Sequence, residues 1–175
     1  MKNLKLNTRL SVITGAILFG AFMRLIPHWP NFTPVAAIAL FAGAHLGRKH
    51  LAFILPMAAM LLSDIFLGFH PYMLAVYLSF AGVVGIGILL TNRIKAGTVL
   101  TASLSASAIF FIITNFAVWL GSQHYTQNIA GLLECYTLAL PFLFNGLVGD
   151  LFFCILFFGG FYLAQLRFPV LAKAH

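Results

Sequence analysis

Acidic side chains are nearly missing from this sequence. Asp64, Glu134 and Asp150 are the only three in 175 residues, and charged residues of both signs make up 7% of the chain, where a soluble domain carries roughly a quarter. That composition excludes a water-exposed globular surface. Cysteine is equally scarce. Cys135 falls in a loop between apolar runs and Cys154 deep within the last run, so the pair cannot bridge and both read as free thiols. The phosphate loop G-x-x-x-x-G-K-[ST], the zinc helix H-E-x-x-H and the nucleophile elbow G-x-S-x-G are all missing. Any ATP hydrolysis therefore has to come from a partner, and no nucleophile and base mark the chain as an enzyme. Gly82, Gly85 and Gly87 lie inside an apolar run without the strand and helix of a dinucleotide loop and read as packing glycines. With no linker, low-complexity tract or internal repeat, residues 1–175 form one domain.

What the sequence does hold is hydrophobic residues, 62% of the total, gathered into six runs at 10–26, 34–47, 51–69, 73–90, 98–120 and 138–166. A helix needs ~20 apolar residues to cross a bilayer. Most runs approach that length; the second is short and needs tilt, extension or shielding by its neighbours. The expected fold is an all-α integral membrane bundle of about six transmembrane helices. Basic residues occupy every second connection: Lys2, Lys5 and Arg9; Arg48 and Lys49; Arg93 and Lys95; Arg167 and Lys173. The alternate loops hold none, Arg24 standing just before the first of them, which predicts both termini on the cytoplasmic side. The surplus of ten Lys and Arg, a formal charge of +7, is thus used for orientation. Without a basic stripe interleaved with aromatics, it does not point to nucleic acid. The first run ends at Phe22, Met23 and Arg24 rather than in small residues, so it reads as a retained helix and not a cleaved leader. Small-residue pairs, Ala16 and Gly20, Ala39 and Gly43, Ala102 and Ala106, Gly146 and Gly149, predict close helix crossings.

Counting ~1.5 Å per residue from the cytoplasmic ends places Arg24, Asp64, Tyr77, Asp150 and Asn115 in one layer, roughly 20–26 Å up, in the outer half of the hydrocarbon. Charges at that depth must pair, face the interior or meet water. One reading is a buried ion pair of Arg24 with Asp64 or Asp150 that locks the bundle. The other is the floor of an outward-open pocket roofed by outer loops. The first such loop, Pro27-His28-Trp29-Pro30-Asn31-Phe32-Thr33-Pro34, is stiffened by proline and carries stacking and hydrogen-bonding groups. The second holds His70 and Tyr72; the third holds His124, Tyr125, Glu134, Cys135 and Tyr136. Trp29, Tyr72, Tyr125 and Tyr136 also fit an interfacial aromatic belt. His45 and His50 read as solvated residues of the cytoplasmic end. His28, His70, His124 and Cys135 are ligand types for a transition metal, but their spacing shows no ligand motif, so neither a metal nor a cofactor is expected. Glu134 beside Cys135 lacks a third group to orient a base.

The runs RLIPHWPNFTPVAAIALFAG, SDIFLGFH, TNFAVWL and CYTLALPFLFNGLVGDLFF resemble a family of small bacterial membrane proteins without an assigned function. That family is similar to the substrate-binding S-components of energy-coupling factor (ECF) vitamin transporters. The resemblance runs from Arg24 to about Gly159 and implies a multi-pass protein of the bacterial inner membrane. It further implies capture of a vitamin or metal ion near the outer face, and docking on a transmembrane coupling protein that carries two ATPases. S-components dock through Ala-x-x-x-Ala on the first helix, to which Ala16 and Gly20 are the nearest match. Some related proteins place a cysteine on the cobalt of cobalamin, which draws attention to Cys135. The combined expectation is a substrate-capture subunit for a vitamin-like micronutrient, with Arg24, Asp64 and Asp150 setting the charge of a pocket suited to a zwitterion or cation. Its expected lining is His28, Trp29, Asn31, His70, Tyr77, Asn115, Cys135 and Asn145. The rival expectations are a small secondary transporter using Asp64 or Asp150 as proton carrier, and an intramembrane enzyme or structural subunit.

Overall fold

The computed structural model describes residues 2–46 and 49–172, with side chains from residue 8 onward. Gly47, the expected end of the second segment, and Arg48 and Lys173, two of the orienting basic residues, lie outside the described residues, as do the side chains of Lys2 and Lys5. The described chain is helical: α1 (Lys2–Met23), α2 (Val35–His45), α3 (Lys49–Leu67), α4 (Met73–Leu89), α5 (Ala96–Gly121), α6 (Ile129–Leu138), α7 (Leu140–Cys154) and α8 (Gly160–Arg167). A π turn, Ile155–Gly159, joins α7 to α8, and a 3₁₀ turn, Pro169–Leu171, follows. Each of the six apolar runs is helical over most of its described length. Three described helices are long and apolar enough to cross a membrane: Lys49–Leu67, Ala96–Gly121 and the continuous Leu140–Arg167. Thr8–Met23, Val35–His45, Met73–Leu89 and Ile129–Leu138 are shorter apolar helices.

α2 is the axis of the bundle. It has no charged side chain apart from what His45 carries, it is apolar all round, and every residue from Val35 to His45 is buried, as expected of a helix without a solvent or lipid face. Around it stand α1, α3, α4, α5 and α7, each touching the next in that order. Eleven residues rise only about 16 Å, roughly half the ~30 Å of a hydrocarbon core. The short second segment is therefore shielded by its neighbours. Its closest neighbour is α4. A Cβ placed on Gly43 would stand 2.5 Å from the Val84 carbonyl oxygen, and one on Gly87 2.5 Å from that of Leu40. Only glycine at both positions allows the two backbones to touch. The expectation for the other two glycines of this run needs correcting. Gly85 faces open space, and Gly82 would meet only the Ile109 side chain, at 3.9 Å. Pro56, inside α3, lacks the N–H that would bond the preceding turn.

Three further expectations change. Residues 121–137 are not simply a loop, because α6 forms within them, started by the Asn128 side chain accepting the Gly131 N–H at 2.9 Å. Its position on α5 is fixed by the Trp119 indole N–H donating to the Thr126 carbonyl at 3.0 Å and the Tyr136 hydroxyl donating to that of Ile112 at 2.6 Å. Arg9 is not in a connection ahead of the first helix. It lies within α1, 9% exposed, with its guanidinium over the Phe161 ring and donating to the Leu171 carbonyl. His45 is not a loop residue. At 7% exposed it ends α2 among the rings of Phe41, Phe158 and Phe161. His50, by contrast, is exposed.

Candidate functional site

The loop between α1 and α2 sinks into the bundle instead of arching over it. The turn closes with Phe32 N–H donating to the Trp29 carbonyl at 3.0 Å, and Asn31 takes φ 63°, a left-handed conformation that Asn tolerates. Phe32 and Thr33 then lie on Gly149 of α7, where an added Cβ would come within 3.0 Å of the Phe32 Cα. Gly149 is nine residues past the start of α7, so this irregular backbone runs about 13 Å below that helix end. Irregular backbone at such depth is tolerated where it is buried in protein or lines a cavity.

It lines one here. A cavity of about 410 Å³ lies between the sunken loop, the N-terminus of α2, the loop joining α3 to α4, and the facing sides of α5 and α7. Exposed Asn31 and His70 are at its mouth, and Arg24, Ser107 and Asp150 are among its deeper lining. Asp150, on α7, is buried and accepts a hydrogen bond from the Ser107 hydroxyl of α5 at 2.5 Å. Neither a cation nor a second acid touches it among the described residues. Phe110, Phe111 and Phe142 supply apolar wall, while Thr33, Thr114 and Asn115 supply polar atoms. Val35 and Ala36, the first residues of α2, also face the space, so the positive end of that helix dipole is directed into it.

Arg24, at the end of α1, reaches α3. It forms an ion pair with Asp64, donates to the Ser63 hydroxyl at 2.7 Å, and lies 3.4 Å from the Met60 carbonyl. The second Asp64 oxygen accepts the Tyr77 hydroxyl at 2.7 Å. Both carboxylate oxygens are thus satisfied, and Asp64 and Tyr77 stand behind Arg24 instead of lining the cavity. Of the eleven residues expected at the site, the cavity gathers Arg24, Asn31, His70, Asn115 and Asp150. His28 and Trp29 are exposed on the loop, Trp29 at 71% with its ring edge-on to Phe32. Asn145 is half-buried outside the lining. Cys135 is enclosed against α5, its thiol 3.5 Å from the Asn115 carbonyl. Burial pushes that thiol up, away from the thiolate that cobalt ligation or nucleophilic attack requires. Among the described residues no group of three His, Cys, Asp or Glu comes together to hold a metal ion.

Ser107 and Thr114 were missing from the expected lining. The signal was present in α5: Ser107, Phe111, Thr114 and Val118 recur at helical spacing and all face the cavity.

A protein-family model described as a family of unknown function (DUF6580) matches residues 4–171. The chain belongs to this family. No curated protein and no solved structure matches it. The DUF6580 match takes in every residue that lines the cavity and all of α1 beyond its first two residues.

Proposed function

We propose that this chain is a membrane-embedded capture subunit for a vitamin-like micronutrient that carries a positive charge, alone or within a zwitterion. The observation that carries this reading is the 410 Å³ cavity with a buried carboxylate, Asp150, that meets no cation of its own among the described residues. Intramembrane ionisable groups facing a cavity mark substrate paths by default, and the volume suits a small organic ligand. Arg24 is paired with Asp64, so the ionisable group left for a ligand is Asp150. The N-terminus of α2, which lines the same cavity, offers a place for an anionic group. In this reading the six apolar segments cross a bacterial inner membrane with both termini inside, and the second crossing is completed by the sunken loop, as in the broken helices of transporters. The similarity to S-components and the lack of a nucleotide-binding motif favour work with a coupling protein and its ATPases. Docking would not use Ala16 and Gly20, however. Gly20 is buried, and a Cβ there would strike Ile38 and Phe157.

The test is a thermal-shift screen of purified protein against water-soluble vitamins and their precursors. Positively charged members should stabilise the protein, and Asp150→Asn should weaken that binding by roughly 100-fold, the scale of a desolvated charge pair. Stabilisation only by neutral or anionic compounds would refute the charge assignment, and stabilisation by none would refute capture. Orientation is checked separately. Cysteines substituted at Gln123 or Thr126 should react with an impermeant maleimide from outside, and those at Lys49 or Lys95 should not. All four positions are exposed and both native thiols are buried. The reverse pattern would invert the bundle.

A second reading draws on the same carboxylate. Asp64 has both oxygens occupied, so a proton-coupled carrier would use Asp150. Uptake abolished by a protonophore at constant ATP would favour the carrier over the capture subunit.

A further inference from the structure

A smaller cavity, about 180 Å³, lies at the opposite end of the bundle, and its polar wall is made by Arg9, His45, Thr91, Tyr162 and Gln165. Among the described residues no carboxylate lines it. The three acids of the chain are committed elsewhere: Asp64 holds Arg24, Asp150 holds Ser107, and Glu134 is on α6 by the other end. Arg9 is nine-tenths buried, and among the described residues its charge is met by dipoles, the Leu171 carbonyl and the face of Phe161 5.3 Å away. A guanidinium has five N–H donors in a rigid fork, of which the Leu171 carbonyl uses one. Gln165 donates one amide hydrogen to that same carbonyl at 3.2 Å and has a second. The Tyr162 hydroxyl adds another donor at the exposed rim. A buried cation with donors to spare and no acid beside it among the described residues suits an anion from outside the chain. The surroundings favour the same sign, since Arg93, Lys95 and Arg167 belong to the same end. On the orientation argued above, this end lies at the phosphate level of the cytoplasmic leaflet.

We propose that the inner cavity is a binding site for a phosphate group, with Arg9 as its principal ligand and Tyr162 and Gln165 as auxiliary donors. The chemistry is that of an Arg fork on phosphate oxygens, and the group can arrive on a lipid headgroup or as a soluble phosphate. The alternative is that Arg9 merely ties the 3₁₀ turn to α1 through Leu171.

Two probes separate the sources. Protein in a neutral detergent is titrated with dioctanoyl phosphatidylglycerol, with dioctanoyl glycerol as the phosphate-free control. A second titration uses inorganic phosphate against chloride at matched ionic strength. Phosphatidylglycerol should raise the melting temperature where the glycerolipid does not. A response to inorganic phosphate as well would assign a soluble source, and its lack a lipid. Arg9→Gln should raise the half-saturating concentration about tenfold, the scale of one charged hydrogen-bonding partner lost. Arg167→Gln, which removes an exposed charge at the same end outside the cavity, should leave it unchanged. Should Arg9→Gln fail to fold, Tyr162→Phe at the exposed rim is read instead and should weaken binding severalfold. The proposal is overturned if neither probe stabilises the wild type beyond its control. It is also overturned if the Arg167 variant loses as much as the Arg9 variant, or if the variants that fold bind like wild type.

Discussion

Replacing Arg24 by alanine should cost about 3–5 kcal/mol of stability, the range for leaving one member of a buried ion pair without its partner. The carboxylate it leaves behind is enclosed, and the Tyr77 hydroxyl alone cannot balance a full charge. Arg24→Ala combined with Asp64→Asn should recover part of the loss, because the amide oxygen can still accept from Tyr77 while the charge is gone. A double variant no better than the sum of the singles, measured by thermal or denaturant unfolding in detergent, would count against the pair. Exchanging the charges, Arg24→Asp with Asp64→Arg, is a sharper probe. The swapped pair removes the acceptor that Tyr77 needs and turns a carboxylate toward the cavity that already holds Asp150. It should therefore fold poorly or, where it folds, bind differently. Normal folding together with normal uptake would remove Arg24 from the site.

That ion pair was legible in the sequence because depth along a helix follows from counting residues, and a charge counted well inside an apolar run of a chain with three acids has few places to go. Depth does not say which way a side chain turns. Tyr77 sits at the right level and points at Asp64; Asn145 sits near the right level and misses the cavity. Phe142, Gly146 and Asp150 line it at intervals of four residues, and Asn145 falls on the neighbouring row of the same helix. Cys135 was hidden for another reason. Apolar-window counting finds spans of ~20 residues and passes over a helix of ten, Ile129–Leu138, that packs the thiol inward. The Asn128 cap was the available clue.

Arg9 and His45 show the limit of charge counting. The positive-inside pattern uses Arg9 as a topological mark whatever its burial, and His45 beside the next basic loop reads as solvated. Their burial depends on Phe158, Phe161 and Leu171, more than a hundred residues away in the chain, and nothing local announces it. The aromatic spacing in the last run was visible, but its partner was not.

Gly87→Ala should be among the most damaging single substitutions in the protein, at about 3 kcal/mol, the upper end of the range for overfilling a packed contact. The added methyl would meet the Leu40 carbonyl oxygen at 2.5 Å and the Leu40 Cα at 2.9 Å. Both are backbone atoms of α2, so no rotamer change relieves the contact and the helix itself has to move. α2 cannot step aside, because it is enclosed by five neighbours. Helix association in lipid relies on close van der Waals approach with little hydrophobic drive to replace it. The same helix supplies its own control two residues earlier. Gly85 has nothing within 4 Å of an added Cβ, so Gly85→Ala should be neutral or stabilising by about 0.5–1 kcal/mol, the ordinary gain of alanine over glycine within a helix. The contrast cancels helix propensity and leaves only the crossing. It also bears on the cavity, since a tilt of α2 about its Gly43 and Gly87 contact would shift Val35 and Ala36 at the other end of the helix, where they line the space beside Asp150. If Gly85→Ala and Gly87→Ala unfold at the same temperature, α2 and α4 do not cross at these glycines. If Gly87→Ala alone loses stability and ligand binding falls with it, the short central helix both holds the bundle and sets the shape of the site.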